Sequence, residues 1–321
     1  MSVVHLRLVV PPDLVEPVLG VLRETESVYG IVHLRGVAER PDGDLVTCEV
    51  AREDASIVID DLCRLGLDEV GAIVLEDVDS AVSAIARRAE RVAAGSPADA
   101  VVWEEVEART SEGTEFSASF LAFMVLATLI AAVGILNDSI ILIIGAMVVG
   151  PEFGPVAALC VSLVQRRLDL ARRSAVALLV GFPAAIAASY ALTLVLKALD
   201  EAPAERTTHP ETLFISDPNW YSVLVAVLAG IAGMLSLTTA KSGALVGVLI
   251  SVTTIPAAAN VGVAAAYGDW REVAGAAAQL LINLSSILAA GVLTLLVQRA
   301  AYARRRGRHR RRLERRLARR T

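Results

Sequence analysis

Six stretches of this chain carry almost no charge, and each is long enough to cross a hydrocarbon layer. Uncharged runs cover residues 116–137, 174–196, 218–240, 242–268 and 273–298, and a sixth, 139–165, is interrupted only by Glu152. A spanning helix needs roughly 20 apolar residues, so the pattern predicts six transmembrane helices. With 55% hydrophobic residues and a mean hydropathy of +0.58, the chain is too apolar for an ordinary soluble protein and cannot be a disordered or collagen-like one.

The formal charge of −5 conceals three blocks. Residues 1–117 hold 24 acidic and 10 basic groups, 118–299 hold 10 and 9, and 300–321 hold 1 and 11. An acidic segment, a nearly neutral apolar core and a basic tail follow one another. Met1 leads into an alternating pattern rather than a basic, apolar leader, so no cleaved signal peptide is expected. Cys48, Cys63 and Cys160 lack metal-ligand or disulfide-frame spacing, and His5, His33, His209 and His309 are scattered. No metal and no cofactor is therefore predicted. H-E-x-x-H, G-x-S-x-G and paired catalytic carboxylates are missing from the sequence, so no catalytic residue is assigned and no enzyme is expected.

Residues 1–79 read as a β-α-β-β-α-β domain. Alternation over 3–10, Pro11-Pro12, an apolar helical stripe at Leu14, Val18 and Leu22 with Asp13 as its cap, a strand over 28–37, the turn Pro41-Asp42-Gly43-Asp44, a strand over 45–51, a helix over 53–66 and a strand over 70–78 succeed one another. That order predicts a ferredoxin-like, α+β domain, with an ACT-like effector-binding role set against one in folding or oligomerisation. Residues 80–117 form a helical connector, 118–298 the transmembrane domain and 299–321 a polybasic tail.

Basic residues in short loops set orientation. Arg166, Arg167, Arg172 and Arg173 follow the second run, and the tail follows the sixth. Both are assigned to the cytoplasm, which puts the N-terminal domain there too. Trp220, Tyr221, Tyr267 and Trp270 then fall at the outer interface.

The two halves resemble each other at an offset near 100 residues, pairing Gly134 with Gly233, Pro155 with Pro256 and Asp169 with Asp269. The second run of each half is broken, by VVGPEFGP over 148–155 and by SVTTIPAAAN over 251–260. Three crossings per half make this a 3+3 inverted-topology repeat, and paired Gly/Pro-interrupted helices point to a midplane transport site. Pro151, Pro155 and Pro256 are expected to free backbone carbonyls that must be buried or line a wet cavity. A charge near the bilayer centre costs about 2.5 kcal/mol or more, so Glu152 must face inward, pair or be protonated. Its functional reading, binding a cation or carrying a proton, competes with capping a half-helix. Thr253, Thr254 and Asn260 flank the second break, and Gln279, Asn283 and Ser286 share one face of the last run. Asp138 is read as a helix cap, and Lys241 as snorkelling to the interface.

The tail's arginines are each worth about 1 kcal/mol near an anionic surface, so anionic lipid is the expected partner. Docking onto the chain's own acidic domain is the alternative, and nucleic acid lacks supporting motifs.

The stretches ILNDSIILIIGAMVVGPEFGPVAALCVSLVQRRLDLARRS (135–174), VGVLISVTTIPAAANVGVAAAYGDW (246–270) and LLINLSSI (280–287) resemble the DUF389 family of uncharacterised prokaryotic membrane proteins. The likeness covers about 120–298, with its G-A-M…P…G-P pattern on Gly145, Ala146, Met147, Pro151, Gly154 and Pro155. It implies a fold and a prokaryotic inner-membrane setting, but no activity. The whole reading predicts a homo-oligomeric transporter or channel for a small solute or ion, with Glu152, Pro151, Pro155, Thr253, Thr254, Pro256, Asn260, Asn283 and Ser286 along its path. Its rival is a non-transporting membrane sensor or assembly platform.

Overall fold

The computed structural model describes residues 3–78, 83–93, 101–112, 116–203, 215, 219–239 and 253–317. The chain divides into two units, residues 1–106 with 238–240 and 298–321, and residues 107–237 with 241–297.

In the first unit the order is β1 (Val3–Val10), α1 (Val15–Glu24), β2 (Val28–Glu39), β3 (Asp42–Ala51), α2 (Arg52–Arg64), α3 (Leu67–Val70) and β4 (Ala72–Val78). The strands form one antiparallel sheet in the order β2-β3-β1-β4. Strand alternation drives the packing. Leu6, Leu8 and Val10 of β1 and Val46, Cys48 and Val50 of β3 are buried in one cluster with Val18, Leu19 and Leu22 of α1 and Val58 and Leu62 of α2. Each fully buried leucine or valine contributes about 1.5–3 kcal/mol.

Local differences from the expected elements have local causes. The helix expected over 53–66 is α2, which ends at Arg64, and Gly66, whose φ of 78° suits glycine, opens the short α3 that follows. Asp13 does not cap α1. Leu14 holds that position and makes no side-chain bond. Strand β2 runs longer than expected and slips register between Tyr29 and Val32 and between Leu34 and Ala38. Gly30 and Gly36, at φ 64° and 59°, lie in those two irregular stretches. Asp44 straddles the second, accepting from the Gly36 N–H at 2.8 Å and lying 2.6 Å from His33 Nε2.

Helix α4 (Ala84–Val92) starts at Ser83, whose hydroxyl accepts from the N–H groups of Ile85 and Ala86. Helix α5 (Trp103–Glu112) is held at its start by α2. Ser56 Oγ donates to Glu104 Oε2 at 2.6 Å and accepts the Trp103 N–H at 3.0 Å. Arg52, only 4% exposed, bonds both Asp77 and Glu105. Among the tail arginines, Arg306 pairs with Asp60 of α2.

The second unit is helical, with α6 (Ala118–Leu136), α7 (Ile140–Val149), α8 (Phe153–Gln165), α9 (Leu168–Ala198), α10 (Trp220–Thr238), α11 (Thr254–Tyr267) and α12 (Trp270–Leu317). Among the described residues, four helices, α6, α9, α10 and the Trp270–Arg304 part of α12, are long and apolar enough to cross a membrane, and α7 with α8, bent by 49°, would make a fifth if the pair is one span. The predicted span over 242–268 contributes α11. Its earlier part, with Lys241 and Gly243-x-x-x-Gly247, lies outside the described residues. The polarity of the packing suits lipid. Alanines such as Ala127, Ala131, Ala257, Ala258 and Ala259 are buried, whereas Ile141, Leu179, Leu281 and Leu293 face outward. Gly262 lets α9 approach α11 closely, since a Cβ there would lie 2.6 Å from the Ile186 carbonyl oxygen and 2.8 Å from the Tyr190 nitrogen.

Asp138 does not take the cap position of α7. It sits at φ 49° in the preceding turn, and Ser139 occupies the cap without a side-chain bond.

Candidate functional site

Where the first broken span opens, α7 ends as the Gly150 N–H donates to the Ala146 carbonyl, and Gly150 then leaves the helix at φ −63°, ψ 129°. Pro151 follows, and Glu152 is the cap residue of α8, its carbonyl accepting the Val156 N–H at 3.2 Å. Helix α11 starts in the same way. Thr253 is the cap residue of α11, and its carbonyl accepts the Ala257 N–H at 3.4 Å.

This geometry corrects the role expected of the prolines. Pro155 and Pro256 are each the third residue of their helix. The first N–H groups of any helix lack an intrahelical partner, so a proline there removes no hydrogen bond. These two prolines lie in the first turns of α8 and α11 and free no carbonyls. Only Pro151 lies within a break itself.

The starts of α8 and α11 meet. Thr254 Oγ1 donates to Glu152 Oε1 at 2.6 Å. Glu152 is 6% exposed and Thr254 2%. The Glu152 side chain makes no bond to its own helix start, so the capping role is not the one it takes. Its second oxygen, Oε2, is buried and has no hydrogen-bond partner among the described residues. Gly150 makes room for it. A Cβ at 150 would overlap Oε2 and lie 2.7 Å from Ile255 Cγ1.

A second polar group adjoins the first through the neighbouring threonine. Asn283 Nδ2 donates to Thr253 Oγ1 at 2.9 Å, Gln279 Nε2 donates to the same oxygen at 3.5 Å and to Asn283 Oδ1 at 3.3 Å. Gln279 Oε1 is buried without a partner among the described residues. The helical spacing of 279 and 283 thus places both amides on one face of α12, toward the second break.

Not every candidate joins this cluster. Asn260 is buried two turns along α11 and donates to Glu272 Oε1 at 3.1 Å. Ser286 is half-buried, and among the described residues no hydrogen bond links it to Thr253 or Glu152. Sequence reasoning passed over Gly150 and Ile255, which wall Glu152, and Ser189 of α9, whose hydroxyl donates to the Ala259 carbonyl of α11 at 3.2 Å. A glycine directly before Pro151 was the available signal for the first. Nothing in the sequence distinguishes Ser189 from other membrane serines. No group of three or more His, Cys, Asp or Glu side chains able to hold a metal occurs among the described residues.

The model of DUF389, a domain of unknown function, matches residues 147–289, a segment that contains both breaks. An uncharacterised protein of Methanocaldococcus jannaschii is 27% identical over 187 residues, covering 58% of this chain and 56% of that protein. The chain thus spans little more than half the length of that curated relative. No solved structure matches.

Proposed function

We propose that this chain, which carries a DUF389 domain over residues 147–289, is a membrane transport protein that passes a small solute or ion between its two broken helices. The observation that carries this reading is the 2.6 Å bond from Thr254 to Glu152, which joins the starts of two half-helices inside an apolar bundle. Buried polar groups are costly in lipid and concentrate on substrate paths. Interrupted helices in corresponding positions are where such paths form.

The fuller architecture proposed is six helices as a 3+3 inverted repeat, with Pro155 and Pro256 as equivalent third residues of α8 and α11. Glu152, Pro151, Thr253, Thr254 and Asn283 line the path, while Asn260 and Ser286 lie farther along it. The strand order β2-β3-β1-β4 supports a ferredoxin-like, ACT-like domain that senses an effector. The chain would be homo-oligomeric in a prokaryotic inner membrane, with cytoplasmic termini and tail arginines on anionic lipid. The Arg306–Asp60 pair supports the alternative tail partner, the acidic domain.

One observation favours the rival, a non-transporting platform. The breaks are in direct contact, with Ile255 and Glu152 filling the space beside Gly150. Reconstitution of the full chain into liposomes, with flux measured for inorganic cations, inorganic anions and amino acids, separates the two. Transport predicts protein-dependent flux of at least one class, reduced by Gly150→Val. The platform predicts none.

A further inference from the structure

We infer that the ion held at the paired breaks is a proton, bound on Oε2 of Glu152. The inference rests on the transport reading only for the proton's movement; its binding stands on geometry alone.

Glu152 is 6% exposed, and its side chain has a single partner, the Thr254 hydroxyl on Oε1. Oε2 is buried with no hydrogen-bond partner among the described residues, and it lies beside Gly150, where a Cβ would overlap it and would also lie 2.7 Å from Ile255 Cγ1. A carboxylate oxygen facing hydrocarbon must be supplied with a donor, a cation or a proton. The titratable groups on the helices packed about the breaks do not supply one. Among the described residues they are Cys160 of α8, Asp169, Arg172, Arg173, Tyr190 and Lys197 of α9, Tyr221 of α10, Tyr267 of α11, and Arg271, Glu272 and Arg299 in the 270–299 part of α12. None of them is bonded to Glu152. Cys160 is engaged with the Leu288 carbonyl, Lys197 with the Ala266 carbonyl and Glu272 with Asn260.

The walls decide between the two positive species. A hard metal cation takes six or more oxygen ligands. Among the described residues no other polar atom is bonded at Oε2, and Thr254 Oγ1, which donates to Oε1, could offer a cation one further oxygen, well short of six. Thr253 Oγ1 is occupied, by Asn283 and Gln279. A proton needs one oxygen. As the neutral acid, Glu152 keeps Oε1 as the carbonyl that accepts from Thr254 and carries O–H on Oε2. Parting of the breaks would expose Oε2 to water, where the O–H bond breaks, the proton passes to a water molecule and the carboxylate remains to be reloaded.

The test uses the full chain in lipid nanodiscs, with infrared difference spectra recorded across the physiological pH range. The expected result is the C=O stretch of a hydrogen-bonded carboxylic acid, lost in Glu152→Gln and moved to higher frequency in Thr254→Val. Absence of any Glu152-dependent acid band overturns the inference. So does a rise in melting temperature with sodium, potassium or magnesium that Glu152→Gln abolishes. Liposomes loaded with a pH-sensitive dye and placed under an imposed potential report movement. Proton flux lost in Glu152→Gln supports the inference together with the transport reading. An acid band without flux of protons or any solute keeps the proton site and refutes transport. Solute flux indifferent to pH and to Glu152→Gln, with no acid band, keeps transport and overturns the proton.

Discussion

The Thr254 hydroxyl donates to Glu152 Oε1 at 2.6 Å although 102 positions separate them along the chain. Glu152 stands at the start of α8 and Thr254 at the start of α11, so one hydrogen bond ties the two helix starts together. Both side chains are buried, and the second carboxyl oxygen of Glu152 has no hydrogen-bond partner among the described residues.

Removing the hydroxyl should therefore cost more than an ordinary hydrogen bond. Thr254→Val leaves both Glu152 oxygens unpartnered, and stranding a buried acceptor costs about 1–3 kcal/mol. Thr254→Ser keeps the donor and should stay near wild type. Thermal unfolding of the full chain in detergent checks the contrast. Equal melting temperatures for Val and Ser would show that the bond contributes nothing.

Gly150 and Gly145 offer a matched pair on the same broken span. A methyl group at 150 would collide with Glu152 and Ile255, whereas nothing lies within 4 Å of one at 145. Overpacking of this kind costs about 1–3 kcal/mol. Gly150→Ala should lower the melting temperature and perturb the break, and Gly145→Ala should leave it unchanged or slightly higher. The same melting assay decides.

In the N-terminal unit the sensitive residue is Arg52, which bonds Asp77 at the end of β4 and Glu105 of α5. Arg52→Met removes the cation from between two acids and should cost about 3 kcal/mol. Arg52→Lys should rescue only part of that, because an ammonium lacks the planar fork that reaches two carboxylates at once. Denaturant unfolding of the N-terminal unit within the full chain, followed at Trp103, reads both variants.

Two carboxyl groups of this unit should respond to pH in opposite senses. The His33 hydrogen bond, with the Gly36 N–H, holds Asp44 below the usual carboxylate range. Its contribution is full above the unfolded value and is lost as pH falls through the lower folded one. Burial pushes Glu104 above that range, against the opposing bond from Ser56. Its favourable contribution is full below the unfolded value and is lost as pH rises through the folded one. Asp44→Asn should flatten the acid limb of a stability–pH curve. Glu104→Gln, which keeps an acceptor for Ser56, should raise stability at neutral pH. Melting curves across pH that do not respond to either substitution would contradict these assignments.

The spans of the membrane unit were legible because charge is costly in hydrocarbon. The gaps between charges therefore outline α6, α9, α10 and the apolar part of α12, and Glu152 stands out as the exception. The strands were legible because side chains alternate across a sheet, and the shared face of Gln279 and Asn283 because four residues make about one helical turn. Gly and Pro located both breaks. What the prolines do there was not legible. Whether a proline disrupts a helix or begins one depends on where the helix starts, and only the folded chain shows Pro155 and Pro256 as third residues. The partners of buried polar groups were likewise settled by packing. Ile255 against Gly150, Thr254 on Glu152, Ser189 on Ala259 and Arg52 between Asp77 and Glu105 are through-space neighbours that no local pattern encodes. Composition and periodicity determine which segments leave water and which faces they bury; the crossing of helices far apart in sequence decides which polar atom each buried group must meet.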